Sequence, residues 1–264
     1  MKCRICGNKD LKKYLDLGHH PPSDAFLTEE QLKEPETHYP LQVYYCERCG
    51  LSQLGYVVPK EILFGDDYPY TTGTNKAGVK HFRELAREVT EKYSLTKDDL
   101  VVDIGGNDGT LLEGFDTRVL NVEPVRTIES KVEKYTGFWD LANATSICHS
   151  YGRAKIILAT NVLAHVDNLH DFMEGVYVLL ADDGAFIIEA PHIDELLKNN
   201  EYDTIYHEHL SYLSHRPIEY LCNMYDMFIA GSTYIDFHGG SYRYYIHRIC
   251  REDWAKPQRV KAVA

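Results

Sequence analysis

The sequence predicts an α/β protein: a mainly parallel sheet that ends in an antiparallel hairpin, with a small zinc-binding module in front. Three observations carry that reading. Short apolar runs ("LVVDI", "RVLNVEP", "AKIILAT", "AFIIEAP") alternate with segments of helical period, the pattern of strands buried between helices. Near the end, "FIAGSTYIDF" and "SYRYYIHR" flank His238-Gly239-Gly240, which reads as a hairpin. At the start, two C-x2-C pairs lie in a stretch too small to build a good core alone.

The elements follow in order. Cys3 and Cys6, then Cys46 and Cys49, present four thiolates, which suits tetrahedral zinc. Four Cys leave no open coordination position, so the metal is read as structural. The stretch "HHPPSDAFLTEEQLKEPETHYP" between the pairs reads as an inserted loop, with His19 and His20 on the surface. Cys148, Cys222 and Cys250 lack ligand spacing and read as buried or incidental thiols. "VVPKEILFGDDYPYTTGTN" reads as linker. "KAGVKHFRELAREVTEKY" reads as a helix, with Val79, Phe82, Leu85, Val89 and Tyr93 on one face. "DDLVVDIGGNDGTLLEGF" reads as strand, Gly-rich turn and helix. "RVLNVEP" is a second strand, and "AKIILATNVLAHV" a buried strand ending in polar residues. "NLHDFMEGVYVLLADDG" reads as a helix closed by Gly184, and "AFIIEAP" as a further strand. A parallel sheet finished by an antiparallel hairpin is the Rossmann-like arrangement of class I methyltransferases. The expected domains are 1–72 (zinc module and linker), 73–250 (methyltransferase domain) and 251–264 (a tail, or the start of a missing C-terminal domain).

Composition narrows the partners. With 44% hydrophobic and 26% charged residues the chain is of soluble globular type. A net charge of −12 disfavours nonspecific nucleic-acid binding, whose affinity comes largely from Lys and Arg on phosphates. The N-terminus "MKCRICGNKD" has no apolar h-region, and no run reaches the ~18 apolar residues of a membrane span. The expected setting is cytoplasmic, where thiols stay reduced.

Ligands of such sheets sit at the carboxyl ends of strands near the topological switch point, and "DIGGNDG" occupies that place. Gly105 and Gly109 allow close backbone approach, and Asp103 ends the strand beside the turn. Glu123 ends the second strand, where an acid can accept both ribose hydroxyls. Asn107 in the turn and Asn161 at the polar end of "AKIILATN" complete the candidate cofactor residues. A dinucleotide and S-adenosylmethionine both fit this outline. A dinucleotide wants G-x-G-x-x-G, which the turn does not supply, and Asp108 stands where a phosphate would sit. An acidic turn suits a cationic ligand, and S-adenosylmethionine is one.

The segment "EYDTIYHEHLSYLS" crowds Tyr, His and acidic residues together. Were it extended, His207 and His209 would share one face and Glu208 the other, and a polar hydrogen-bonded loop would serve as well as a site. It is not H-E-x-x-H, so no catalytic metal is proposed. "CRICG…YYCERCGLSQL", "VVDIGGNDGTLL", "VEP", "ILATNVLAHVDNLHDF", "IIEAP", "EYDTIYHEHLSYLS" and "HGGSYRYYI" occur in order. Together, from Cys3 to about Ile246, they resemble the zinc-containing, S-adenosylmethionine-dependent sugar C-methyltransferases of deoxysugar biosynthesis.

That resemblance implies methylation of a ring carbon, typically C-3, of a nucleotide-linked 4-keto-deoxysugar. It implies that His209 is the base, with Glu208 and Tyr206 beside it and His165 close to the sugar. It implies a tyrosine just before the first helix of the methyltransferase domain: Tyr70, with Tyr68 as the competing choice. The family also carries a second α/β domain that holds much of the nucleotide-sugar. This sequence stops soon after the hairpin, as a fragment or a short member would. The chemistry needs these residue types. A carbon next to a ketone becomes nucleophilic when a base within about 3 Å removes its proton, and donors must stabilise the charge that develops on the ketone oxygen. His titrates near neutrality and suits the first task. Two rival readings are an inactive partner that keeps the zinc module and donor pocket, and an O- or N-methyltransferase acting on a small molecule without an enolate.

Overall fold

The computed structural model describes residues 1–65, 68–237 and 239–249. His238, Cys250 and the segment 251–264, on which three of the expectations above fall, lie outside the described residues.

The N-terminal module is a small antiparallel sheet. Strand β1 (Lys12–His20) pairs with β2 (Tyr39–Tyr45), and β2 with β3 (Ser52–Leu54). His19 and His20 are exposed at the end of β1. The linker is not featureless: it holds a one-turn helix α1 (Lys60–Leu63) and a 3₁₀ turn at Thr72–Thr74. Helix α2 (Lys76–Tyr93) starts where Asn75 caps it, its Oδ1 accepting from the N–H groups of Ala77 and Gly78. Such a cap contributes about 1 kcal/mol. The predicted stripe buries Phe82, Leu85 and Val89 against one face of the main sheet.

That sheet begins with β4 (Leu100–Ile104), β5 (Arg118–Glu123) and β6 (Lys134–Thr136), all parallel. Helix α3 (Leu141–Tyr151) leads to β7 (Ala154–Thr160), and α4 (Leu169–Leu179) to β8 (Leu180–Pro191). Helix α5 (Ile193–Asn199), the two-residue strand β9 (Ser211–Tyr212) and α6 (His215–Asn223) follow. The hairpin β10 (Met227–Ile235) and β11 (Ser241–Arg248) closes the described chain. The strand order is β10-β11-β8-β7-β4-β5-β6, with β11 antiparallel to both neighbours, which is the class I methyltransferase sheet. One core packs α2 on one face, and a second packs the residues of α4 and α6 on the other.

Two sequence expectations fail. The helix after the Gly-rich turn is a single 3₁₀ turn, Leu112–Gly114. The stretch before β5 is short, and α2 already covers that position: a Cβ on Gly114 would meet the Ala86 Cβ at 2.6 Å. Gly184 does not close α4 but lies inside β8, because the chain turns straight from Leu179 into the strand. Its closest neighbour there is the Lys155 carbonyl, 2.8 Å from a built Cβ. Cys222 is buried and Cys148 half-buried.

The two sheets are interlocked. β9, from the far end of the sequence, pairs with β3 and completes the small sheet, matching Ser52 to Tyr212 and Gln53 to Ser211. Arg4 of the first knuckle donates to the carbonyls of Leu54 (2.9 Å) and Leu210 (3.1 Å). Arg216 of α6 donates to the carbonyls of Glu47 and Arg48 in the second. Cys3, Cys46 and Cys49 belong to the same core as β4 and β7. Among the described residues no helix is long and apolar enough to cross a membrane.

Candidate active site

The four knuckle Sγ atoms lie within 4.8 Å of one another, with Cys3–Cys49 and Cys6–Cys46 at 3.4 Å. A tetrahedral ion with Zn–S bonds of about 2.3 Å needs S–S edges a little under 4 Å, so the set fits zinc.

At the carboxyl end of β4 the chain turns through Gly105 at φ +65°, where a Cβ would strike the Val162 side chain at 2.7 Å. Only glycine fits that corner. Asn107, also left-handed, donates its backbone N–H to Glu123 Oε2 at 3.0 Å. Its side chain donates to the Tyr70 carbonyl (3.0 Å) and accepts from the Thr72 N–H (2.9 Å). Glu123 Oε1 accepts from the Val125 N–H at 2.8 Å. One buried carboxylate and one amide thus lock the turn, the end of β5 and the linker together. Burial raises the Glu123 pKa while its two N–H donors pull it down. Asp103 is buried, and burial, then the Glu123 charge, push its carboxyl well above the usual range. Asp103 Oδ1 and Asn161 Oδ1 are buried acceptors with no hydrogen-bond partner.

These groups line one wall of a cleft of about 1120 Å³. Tyr206, Glu208, His209 and His165 line the same cleft. Residues 206–209 are not extended. The His209 N–H bonds the Tyr206 carbonyl at 3.1 Å, closing a tight turn. That turn brings the two outer side chains together, with ring centroids 4.2 Å apart. It sends His207 the other way, buried against the Tyr39 carbonyl and off the cleft.

His209 Nδ1 is 2.8 Å from the Thr204 carbonyl. A carbonyl only accepts, so Nδ1 carries the proton and Nε2 keeps its lone pair, facing the Tyr206 hydroxyl at 3.0 Å. The His165 ring is edge-on to His209 at 5.0 Å, and Nδ1 of His165 has no partner. Burial, then the neighbouring His209, lower its pKa to about 3, so it is a neutral imidazole. Glu208 is 2% exposed; burial, and then the negative charge of Asp24, push its carboxyl up to about 8.

Residues 79–226, more than half the chain, match the family model described as "Methyltransferase domain". The chain belongs to the methyltransferase domain family. Residues 3–64 match a second model, described as "Putative zinc binding domain". The chain is 34% identical over 248 residues to a protein of Streptomyces niveus named C-methyltransferase NovU. The match takes in 91% of this chain and 59% of that relative, so the chain spans well under two thirds of its length. Among solved structures, the PH0226 protein of Pyrococcus horikoshii OT3 shares the fold at a TM-score of 0.50 and 15% identity, over 73% of this chain and 100% of that one.

The residues of this wall fit S-adenosylmethionine, the cofactor of the methyltransferase domain family. The buried Asp103 Oδ1 and Asn161 Oδ1 are acceptors suited to a ligand rich in N–H and O–H donors, and Glu123 ends β5 in the same cleft. Among the described lining residues Lys60 is the single Lys or Arg, while the acids include Glu123, Asp140, Asp167 and Asp171. A pyrophosphate would meet carboxylates there; a cationic methyl donor meets complementary charge.

Asp103, Gly105, Asn107, Glu123, Asn161, His165, Tyr206, Glu208, His209 and Tyr70 all line the cleft. Gly109 does not: at φ +76° it closes the turn against Val132 and Ser130. Asp108 does not either. Its carboxylate accepts from Thr110 and from the Gly73 N–H, with Lys131 at 3.5 Å. The acid expected to face the ligand therefore holds the linker instead. Tyr70 is 44% exposed, whereas Tyr68 is half-buried against Phe64, and burial, then the Glu208 charge, raise its pKa. Sequence reasoning missed Asp24, Phe64 and the Thr204 carbonyl. Only the rigid Pro21-Pro22 pair ahead of Asp24 hinted that this loop is shaped.

Proposed function

We propose that this methyltransferase transfers the methyl group of S-adenosylmethionine to a carbon next to a ketone, most fittingly C-3 of a nucleotide-linked 4-keto-deoxysugar. The observation that carries the reading is His209, whose Nε2 lone pair is fixed by the Thr204 carbonyl at Nδ1 and whose side chain lines the cleft that also holds Asp103, Gly105 and Glu123. The name of the S. niveus relative agrees with methylation at carbon.

In this reading the donor's sulfonium supplies an activated methyl group when bound. His209 Nε2 removes the proton beside the ketone. Tyr206 moves its hydroxyl hydrogen bond from His209 to the developing oxyanion, joined by Tyr68 or Tyr70. His165, neutral and edge-on to His209, keeps positive charge away from the base until it accepts its proton. The sugar ring belongs in the cleft, and its diphosphate outside, because the acidic lining offers phosphate little.

The test is solvent-deuterium exchange at the carbon beside the ketone, followed with nucleotide-linked keto-sugars in the absence of methyl transfer. Exchange that needs His209 supports the reading. Methylation at oxygen or nitrogen with no exchange overturns it.

A further inference from the structure

The mechanism above leaves Lys134 unused. It opens β6, and its side chain is turned onto backbone. Nζ donates to the carbonyls of Val125 at 2.8 Å and Ile128 at 2.6 Å, with that of Arg126 at 3.5 Å. Three carbonyls of one turn thus meet the three donors of an ammonium. The turn follows β5 directly, and its Pro124 and Val125 line the cleft. Val125 is held on both sides. Its carbonyl accepts from Lys134, and its N–H donates to Glu123 Oε1 at 2.8 Å. Glu123 Oε2 in turn accepts from the Asn107 N–H at 3.0 Å. A chain of hydrogen bonds therefore runs from β6 through a single residue to the carboxylate that ends β5, and on to the Gly-rich turn. Its base is fixed, because β6 pairs with β5, Lys134 matching Asn121 and Thr136 matching Glu123.

We propose that Lys134 is a positioning residue for the methyl donor: it grips the turn at 125–128 and so fixes the Val125 N–H that aims Glu123 into the cleft. The inference rests on the reading that Glu123 meets the donor's ribose. The same ammonium has an electrostatic effect. Burial raises the Glu123 pKa; the Val125 and Asn107 N–H groups, then the Lys134 charge, lower it. The facing charged groups are Asp103 on β4 and Lys134 on β6. Without Lys134 the carboxyl keeps its proton to higher pH and accepts fewer hydrogen bonds.

The experiment uses the full zinc-loaded chain and needs no acceptor. S-adenosylhomocysteine is the probe, and its binding is measured by calorimetry. In Lys134→Met affinity should fall about tenfold, and the loss should be larger at about pH 6 than at about pH 8. Lys134→Arg, which keeps the charge and N–H donors, should retain most of the affinity, and Lys134→Ala provides a second removal should the Met variant fold poorly. Amide hydrogen exchange of the ligand-free chain should quicken at residues 124–128 in both removals. Native-like affinity in both, or native-like exchange of the turn in both, overturns the inference. A loss of equal size at both pH values overturns its electrostatic half, since loosened structure alone has no such slope. A native chain that binds no S-adenosylhomocysteine overturns the donor reading itself, and is told apart from failure of the inference alone, in which native and removal variants bind equally well.

Discussion

Tyr206 and His209 stand at the two ends of one tight turn, with the tyrosine hydroxyl 3.0 Å from Nε2 and the turn closed by a 3.1 Å backbone bond. The geometry is local, set by four consecutive residues, but its use is not. The Thr204 carbonyl fixes the tautomer, and the start of β9 anchors the exit of the turn to the zinc module.

His209→Asn should therefore abolish deuterium exchange and methyl transfer, by about 10²–10⁴-fold or more, while donor affinity by calorimetry stays within a few-fold of native. The donor wall is assembled from β4, β5 and the linker, which hydrogen bonds among Tyr70, Thr72, Asn107, Glu123 and Val125 hold together. Loss of the bond to Thr204 should cost about 1 kcal/mol of stability. A variant that exchanges at the native rate removes His209 from the role of base.

Glu123→Ala should weaken donor binding, but the structure makes the experiment less clean than the sequence suggested. Glu123 also accepts the N–H groups of Asn107 and Val125, and truncation leaves two buried donors unpaired at about 1–3 kcal/mol each. Glu123→Gln keeps an acceptor oxygen for at least one of them. Calorimetry should then show donor affinity falling about tenfold or more in Gln, with thermal denaturation showing a much smaller stability loss than in Ala.

Stability should depend on pH in two opposed ways. Glu208, raised in the folded state from 4.5 to about 8, contributes stability that is full below about pH 4.5 and lost as pH rises through about 8. His165, lowered from 6.5 to about 3, contributes stability that is present above pH 6.5 and lost as pH falls toward 3. Urea denaturation across pH should show the alkaline loss flattened in Glu208→Gln and the acid loss flattened in His165→Asn. Each slope is worth on the order of a few kcal/mol across its window. Identical pH curves for native and variant would refute the corresponding assignment.

Much of this architecture is legible in the sequence because it rests on periodicity and glycine. The stripe of α2, the apolar strands and the corner at Gly105 are dictated locally. The resemblance adds His209, Tyr206 and His165, which the fold then gathers. What is not legible depends on partners distant along the chain. Asp24 reaches the cleft from a loop whose sequence carries no catalytic signal. Asp108 looked like a ligand acid until Gly73 and Lys131 appeared as its partners. The failed helix after the turn was decided by α2 already filling the space, a matter of packing rather than propensity.

Zinc should matter to the site as well as to the module. β3 follows the second knuckle directly and pairs with β9, which leaves the His209 turn, and Arg4 of the first knuckle holds the Leu210 carbonyl beside it. Metal analysis should find one zinc per chain. Structural zinc binding is worth on the order of 10 kcal/mol of folding energy, so Cys46→Ser should unfold the module. Chelation should abolish exchange before it abolishes donor binding, since the donor wall lies on the main sheet. Stoichiometric protein without zinc that exchanges normally would contradict this.

The tyrosine of the linker provides the sharpest remaining test, because sequence and structure point to different residues. The resemblance favoured Tyr70. In the structure Tyr70 is 44% exposed, and its fixed part is the backbone carbonyl, which accepts from Asn107 and survives any side-chain change. Tyr68 is half-buried, packed edge-on to Phe64, which is in turn edge-on to His165. Its hydroxyl feels Glu208 and Tyr206. A half-buried donor that reaches the base through Phe64 and His165 can stabilise charge on a ketone oxygen; an exposed one competes with water. Tyr68→Phe should lower exchange and methyl transfer about 10²-fold with little change in KM, whereas Tyr70→Phe should stay within a few-fold of native. If Tyr70→Phe is the damaging change and Tyr68→Phe is silent, the linker must reorganise when substrate binds, and Asn107, which holds it at residues 70 and 72, is where that movement would have to begin.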